Sequence, residues 1–153
     1  MTRFVVHSLA ILLVATGVSA APVPKAIKAK PADLDGTWEV VELWSGMSDV
    51  AKLNPWVWEI RGEQLTIYNR ENGALKLNDQ RTKTTLVRPE KAGADAIDYT
   101  RDDGTTPMVF LGTVVVEGDR LILCFDSPGK ARPTERKPFQ SGWYYVFKRV
   151  SEK

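Results

Sequence analysis

The sequence of 153 residues contains one cysteine and one histidine. Cys124 therefore has no partner for a disulfide within the chain, and His7 lies in a segment that we expect to be removed. A chain without histidine has no Ser-His or Cys-His pair and lacks the usual ligands of a zinc site. We therefore expect a protein that is not an enzyme and that has no metal site and no cofactor.

The sequence also lacks an excess of either charge, with 21 Lys+Arg against 19 Asp+Glu. Nucleic-acid-binding proteins and polybasic membrane surfaces need a concentrated basic patch. The longest apolar run, from Phe4 to Val18, contains His7, Ser8 and Thr16 and is shorter than the roughly 20 residues of a membrane-spanning helix. We expect no nucleic-acid partner and no membrane span in the mature chain.

Residues 1–20 have the features of a signal peptide. Arg3 precedes the apolar run, and Val18-Ser19-Ala20 supplies the small residues of a cleavage site. We expect cleavage after Ala20 and export to the periplasm or the extracellular space. Residues 21–33 contain three prolines and three lysines, which predicts a flexible Ala/Pro/Lys linker before a domain at residues 34–150.

From Gly36 onward, short runs of aliphatic, β-branched and aromatic residues alternate with turn clusters, a pattern typical of all-β domains. The predicted strands are 36–44, 56–61, 64–69, 74–79, 83–88, 96–101, 108–117, 119–125 and 142–150. Turns such as Glu71-Asn72-Gly73 and Glu117-Gly118-Asp119 join several of them as hairpins. We predict an antiparallel up-and-down barrel of eight or nine strands, eight being preferred, with a two-sheet sandwich as the alternative.

Alternation along the strands predicts which side chains face the interior. On the first strand Trp38 and Trp44 share the interior face, and on the last strand Arg149 does so. Closure of a barrel would place Arg149 beside Trp38, and an arginine can lie flat on an indole. The alternative is that Arg149 faces water at the strand end. Glu42 falls on the same face of the first strand and is the exception to its apolar pattern. The other residues predicted to face the interior are Val40, Leu65, Ile67, Leu75, Leu77, Met108, Phe110, Val114, Val116, Leu121, Leu123, Phe125, Trp143, Tyr145 and Phe147.

The set formed by Gly36, Trp38 and Arg149 resembles the Gly-x-Trp and Arg pairing of lipocalins and their calycin relatives. Residues 34–150 as a whole resemble the uncharacterised lipocalin-like domain family abundant in secreted planctomycete proteins. The matching stretches are Leu34-Asp35-Gly36-Thr37-Trp38, Ala96-Ile97-Asp98, Gly112 through Glu117-Gly118-Asp119 to Leu121-Ile122-Leu123-Cys124-Phe125, Pro128-Gly129-Lys130, Arg132-Pro133-Thr134-Glu135 and Phe147-Lys148-Arg149. Arg136 departs from this family, which usually has an aromatic residue there. The resemblance implies an exported calycin-like barrel with no established activity, and the wider lipocalin resemblance implies ligand binding.

Aromatic residues near the 45–55 connection are candidate ligand-binding residues. Trp44, Trp56 and Trp58 would lie at one mouth of the barrel, and Phe110 and Tyr145 would face its interior. Such a site suits a small hydrophobic or amphipathic ligand. The bulk of the interior aromatics nevertheless favours a largely filled barrel. In that alternative the domain is an interaction or structural module that binds another macromolecule, such as a protein of the cell envelope. In both cases we expect a monomer.

The Pro-rich and cation-rich stretch 127–138 provides a second candidate surface. Arg132, Thr134 and Glu135 could form a rim that binds an anion or a partner, whereas a solvated loop braced by an Arg132–Glu135 pair is the preferred alternative. Asp98 is the carboxylate that could point inward, as an enzyme would require. A solvent-facing or backbone-bonded Asp98 is preferred, because most carboxylates are exposed.

Overall fold

The computed structural model describes residues 33–53, 55–79 and 83–150. The predicted signal peptide and all of the predicted linker except Asp33 lie outside the described residues. The elements are β1 (Gly36–Ser45), β2 (Ser48–Asp49), a 3-10 turn (Ala51–Leu53), β3 (Trp56–Arg61), β4 (Gln64–Glu71), β5 (Ala74–Leu77), β6 (Thr84–Val87), β7 (Ala96–Arg101), β8 (Met108–Glu117), β9 (Arg120–Asp126) and β10 (Gly142–Arg149).

Eight of these strands form a closed antiparallel barrel. Their order around the ring is β1, β3, β4, β6, β7, β8, β9 and β10, and β10 pairs with β1 to close it. The structure therefore confirms the predicted eight-stranded up-and-down barrel, and the sandwich alternative is wrong. β2 and β5 lie outside the ring, where β2 pairs with β1 and β5 pairs with β4.

The predicted hairpin turns join the strands as expected. Gly118-Asp119 connects β8 to β9, and Gly62-Glu63 connects β3 to β4. Between β4 and β5, Asn72 and Gly73 both have positive φ angles, of 51° and 84°. Two positive φ angles in succession are what a tight hairpin turn of the right twist requires, and Asn-Gly adopts them readily.

The hairpin of β4 and β5 projects from the barrel. The first part of β4 pairs with β6 at Gln64 and Leu65, whereas the second part pairs with β5. Leu75 and Leu77 are 48% and 43% exposed. The prediction that these two leucines face the interior is wrong, because β5 extends the outer part of β4 and is not a wall of the barrel.

A β-bulge interrupts β1. Its register with β10 shifts between Val40 and Glu42, which inserts Val41 as an extra residue. An extra residue reverses the alternation that follows it. Leu43 is consequently buried in the interior core, and Trp44 packs against an outer cluster. The predictions that Trp44 faces the interior and that Glu42 is an inward exception are both wrong for this reason.

The end of the barrel where β1 begins and β10 ends is plugged by Trp38, and we call it the closed end. Trp38 is fully buried, and its Nε1 donates a hydrogen bond to the carbonyl oxygen of Leu34 at 2.9 Å. The guanidinium carbon of Arg149 lies 4.1 Å from the centroid of the indole, and Nη1 donates to the carbonyl oxygen of Asp35 at 2.7 Å. The predicted contact between the first and last strands is confirmed.

Gly36 makes room for this contact. A Cβ at this position would lie 2.5 Å from Nη1 of Arg149. The φ angle of Gly36 is also positive, at 138°, a conformation that other residues rarely adopt. Both the backbone and the packing therefore require glycine two residues before Trp38.

A second, smaller apolar cluster lies on the outer face of β9 and β10. Its buried members are Cys124, Tyr144 and Val146, with Trp44, Ile122 and Phe139 packed around them. Phe139 belongs to the segment 127–141 between these two strands, and a Cβ on Gly142 would overlap its ring. The segment therefore folds back onto the barrel wall, and we call it the strap.

We expect Arg149→Met to lower the free energy of unfolding by about 1–2 kcal/mol, because it removes the cation from the indole and the hydrogen bond to Asp35. Urea denaturation would measure the loss. Arg120→Met is the matched control, because the ion pair of Arg120 with Glu42 is exposed and 3.7 Å long, and its loss should cost less than about 0.5 kcal/mol. Equal losses in the two variants would contradict the role assigned to Arg149.

We expect the Cys124 thiol to be unreactive in the folded protein, because burial raises its pKa from 9.0 to about 11. Ellman's reagent at pH 8 should react roughly 100-fold more slowly with native than with urea-unfolded protein, since two pKa units change the thiolate fraction by that factor. The pKa is raised on folding, so the associated stability is complete below pH 9 and declines as the pH approaches 11. Cys124→Ala should abolish both effects, and rapid labelling of the native thiol would contradict them.

Candidate functional site

A cavity of about 320 Å³ opens at the end of the barrel opposite Trp38. At this open end β1 ends, β10 begins, and a loop connects β7 to β8. The volume is near the lower limit for small-molecule sites, which commonly measure about 300–1,000 Å³. The cavity is therefore large enough for a small ligand or for one segment of a longer one.

Four of the five predicted ligand-binding residues line the cavity. They are Trp56, Trp58, Phe110 and Tyr145. Trp44 lies outside it, in the outer cluster, because of the bulge in β1. The structure thus brings four of these side chains together around one space, and their role in binding stays a prediction.

Trp58 forms the floor of the cavity. It is almost completely buried, and its ring centroid lies 5.2 Å from that of Tyr145 and 4.8 Å from that of Phe147. Tyr145 and Phe147 are themselves stacked, with centroids 5.6 Å apart. This aromatic layer separates the cavity from the closed end, where Trp38 packs. The interior is filled on one side of Trp58 and hollow on the other.

Besides the predicted Phe110, the side wall contains four residues that are not among the predicted ligand-binding residues: Tyr99, Trp143, Leu43 and Phe125. Tyr99 and Phe110 contact each other across β7 and β8, with centroids 5.3 Å apart. Phe110 also meets Trp143 edge-on at 5.5 Å. Leu43 and Phe125 complete this wall. Each of these residues lies at an inward position of its strand. The alternation along the strands could therefore have identified them, except at Leu43, where the bulge shifts the alternation by one residue.

The rim is built by the connection between β1 and β3, which contains the 3-10 turn Ala51–Leu53. The backbone N–H of Val50 donates to the carbonyl of Leu43 at 2.7 Å, which folds this connection back toward the barrel. Ser45, Val50 and Leu53 line the cavity from this side. Leu53 is 79% exposed, so the rim presents an apolar side chain to solvent.

Arg101 is the one charged residue among the described residues that line the cavity. It lies at the end of β7, two residues after Tyr99 and four after Ile97, and shares their inward side. Arg101 is not among the ligand-binding residues predicted from the sequence. The same alternation that places Ile97 and Tyr99 in the core could have identified it.

Asp98 lies on the outer side of the barrel and binds the strap. Nη2 of Arg132 donates to its carboxylate at 2.6 Å. Nη1 of Arg132 donates to the carbonyl of Ile97 at 2.7 Å and to that of Gly112. Asp98 therefore anchors a loop from outside and does not point inward.

The predicted rim of Arg132, Thr134 and Glu135 is not part of the cavity wall. The predicted Arg132–Glu135 brace is wrong: Glu135 pairs with Lys137 at 2.6 Å, while Arg132 reaches across to Asp98. Thr134 is exposed. These three residues belong to the strap, where Arg132 attaches the segment to β7 and β8.

Across residues 33–53, 55–79 and 83–150, no three His, Cys, Asp or Glu side chains are grouped as metal ligands. The same stretches contain no helix with the length and apolar character of a membrane span.

The closed eight-stranded barrel is consistent with a calycin-like fold. No protein-family model, no curated protein and no solved structure matches the chain.

We expect Arg132→Gln to lower the free energy of unfolding by about 1.5–3 kcal/mol, because it leaves a half-buried carboxylate and two carbonyls without their donor. Amide hydrogen exchange in the strap should also accelerate. Arg136→Gln is the control, since its 2.7 Å pair with Asp95 is about half exposed and such pairs contribute little. The anchoring role of Arg132 would be contradicted if both variants lost the same stability.

Proposed function

We propose that this domain binds a small hydrophobic or amphipathic molecule in the cavity at the open end of the barrel. The observation that carries the proposal is the cavity of about 320 Å³ enclosed by aromatic side chains. A concave site that is mostly apolar and has a few polar groups is the usual form of a small-molecule site. Binding, not catalysis, is the activity proposed here.

The character of the wall supports an apolar ligand. Trp56, Phe110, Trp143 and Leu43 present carbon surface to the cavity. Covering such surface is favourable by about 25 cal/mol per Å² of apolar area removed from water. The exposed Leu53 on the rim would gain further contact with a ligand that reaches the mouth.

Export and family membership belong to the same proposal. The signal-peptide features of residues 1–20 support export to the periplasm or beyond the cell. Gly36, Trp38 and Arg149 are arranged as the lipocalin resemblance implies, with the arginine stacked on the indole. This arrangement supports a place in the lipocalin-like family described above, of which ligand binding is the wider property.

A second candidate function is an interaction module that binds another macromolecule of the cell envelope. The projecting hairpin favours it, because Leu75 and Leu77 present apolar surface on a strand that pairs, within the described part of the chain, only with β4. This candidate needs no ligand in the barrel. The two functions therefore differ in whether a small apolar molecule binds to the isolated protein.

The neutral fluorescent probe N-phenyl-1-naphthylamine tests the proposed function. We expect it to bind with a roughly micromolar dissociation constant, with enhanced probe emission. Val50→Phe should weaken binding by about tenfold or more, because Val50 lines the cavity and a larger side chain would occupy part of it.

Val109→Phe is the matched control, since Val109 is 43% exposed and does not line the cavity. It should bind the probe as the unaltered protein does. Absence of probe binding by the unaltered protein, or equal effects of the two substitutions, would contradict a binding site in the cavity.

A further inference from the structure

We propose that the ligand of this cavity ends in a carboxylate, which pairs with Arg101 at the mouth while its apolar part lies against the aromatic wall. The inference rests on the proposed function, since it specifies the chemical class of the molecule that the cavity binds. It is based on the position of Arg101 at the cavity, on the absence of an oxygen contact to its guanidinium among the described residues, and on the polar groups around it.

Arg101 differs from the other arginines of the described chain. Seven others lie in that part, and each contacts a carboxylate or a carbonyl oxygen of the protein. The contact of Arg101 is with the thioether of Met108, whose Sδ lies 4.0 Å from Nη2. Its Nε is buried without a hydrogen-bond partner among the described residues. A guanidinium in this situation has strong donors available for an external oxygen.

The carboxylates nearest to Arg101 in the sequence are bound within their own turn. Oδ1 of Asp102 accepts from the N–H of Gly104 at 2.8 Å. Oδ1 of Asp103 accepts from the hydroxyl of Thr105 at 2.6 Å and from its N–H at 3.2 Å. The pKa of Asp103 is lowered mainly by these bonds from Thr105, with a smaller effect of the Arg101 charge. Neither aspartate forms an ion pair with Arg101.

The location of Arg101 sets the orientation of the ligand. The residue pairs with Met108 at the last register position of β7 and β8, at the open end of the barrel. One step inward, Tyr99 pairs with Phe110, and Trp58 lies below them. A charged head at Arg101 would stay near solvent, and an apolar chain would extend toward Trp58. This arrangement avoids burying a carboxylate without a partner.

Two residues that line the cavity, Trp58 and Arg101, carry buried hydrogen-bond donors. Nε1 of Trp58 and Nε of Arg101 are buried N–H groups without partners among the described residues. Both are donors only, and neither can accept a hydrogen bond. Since Arg101 also carries the single charge among the described lining residues, the polar chemistry of the wall favours a ligand with acceptor oxygens and a negative charge. Arginine pairs with planar carboxylates through two parallel hydrogen bonds.

Competition between three decyl compounds tests the inference. Decanoate, decanol and decyltrimethylammonium share the same apolar chain and differ in the charge of the head. Each would displace N-phenyl-1-naphthylamine at pH 7.5, below its micelle-forming concentration. We expect decanoate to bind at least tenfold more tightly than decanol, and the cationic compound to bind more weakly than decanol.

Two variants test whether Arg101 causes the preference for decanoate over decanol. Arg101→Gln should weaken the binding of decanoate at least tenfold and the binding of decanol much less, whereas Arg101→Lys should keep part of the preference. Lys52→Gln is the control for a general effect of positive charge, because Lys52 is exposed on the 3-10 turn beside the mouth and does not line the cavity. It should keep the full preference.

The possible results distinguish a failure of the inference from a failure of the proposed function. Equal binding of decanoate and decanol by the unaltered protein overturns the role of Arg101 and leaves ligand binding intact. The role of Arg101 is also overturned if the preference for decanoate disappears in Lys52→Gln but persists in Arg101→Gln. If neither the naphthylamine nor any decyl compound binds, the proposed function fails and the inference fails with it.

Discussion

The pairing of the first strand with the last closes the barrel and creates its interior. β1 and β10 run side by side from Trp38 opposite Arg149 to Ser45 opposite Trp143. Their pairing removes the two free edges that an open sheet would expose and creates an enclosed interior. It also brings Arg149 onto the indole of Trp38 at one end and Trp143 to the cavity wall at the other. The plug and the cavity are therefore two consequences of one closure.

One extra residue in β1 decides what occupies the open end. With Val41 inserted, Leu43 faces inward and Trp44 faces outward. Without the bulge the regular alternation of β1 would turn the indole of Trp44 toward the interior. The same shift supplies Trp44 to the cluster around Cys124, against which the strap packs through Phe139. A local change of register thus affects the cavity on one face of the sheet and the packing of the strap on the other.

Arg149, Arg132 and Arg101 differ in what their guanidinium groups contact. Arg149 covers an indole and binds a carbonyl at the closed end, and Arg132 holds the strap through Asp98 and two carbonyls. Both have their donors directed at oxygens of the protein. Arg101 lies at the open end against a cavity and contacts a thioether. The two paired arginines stabilise the fold, and the third is the one that we propose contacts a ligand.

The strands, the hairpin turns and the set of Gly36, Trp38 and Arg149 could be predicted from the sequence by itself, because alternation and turn chemistry are properties of neighbouring residues. Four aromatic residues of the cavity followed from the same local rules. The side on which Trp44 lies, the departure of Leu75 and Leu77 from the barrel, the partner of Arg132 and the free volume above Trp58 became known from the folded structure. Each depends on residues far apart in the chain, such as Asp98 and Arg132, 34 positions apart. A bulge, an ion pair between distant segments and an unfilled space arise only when those segments are packed together.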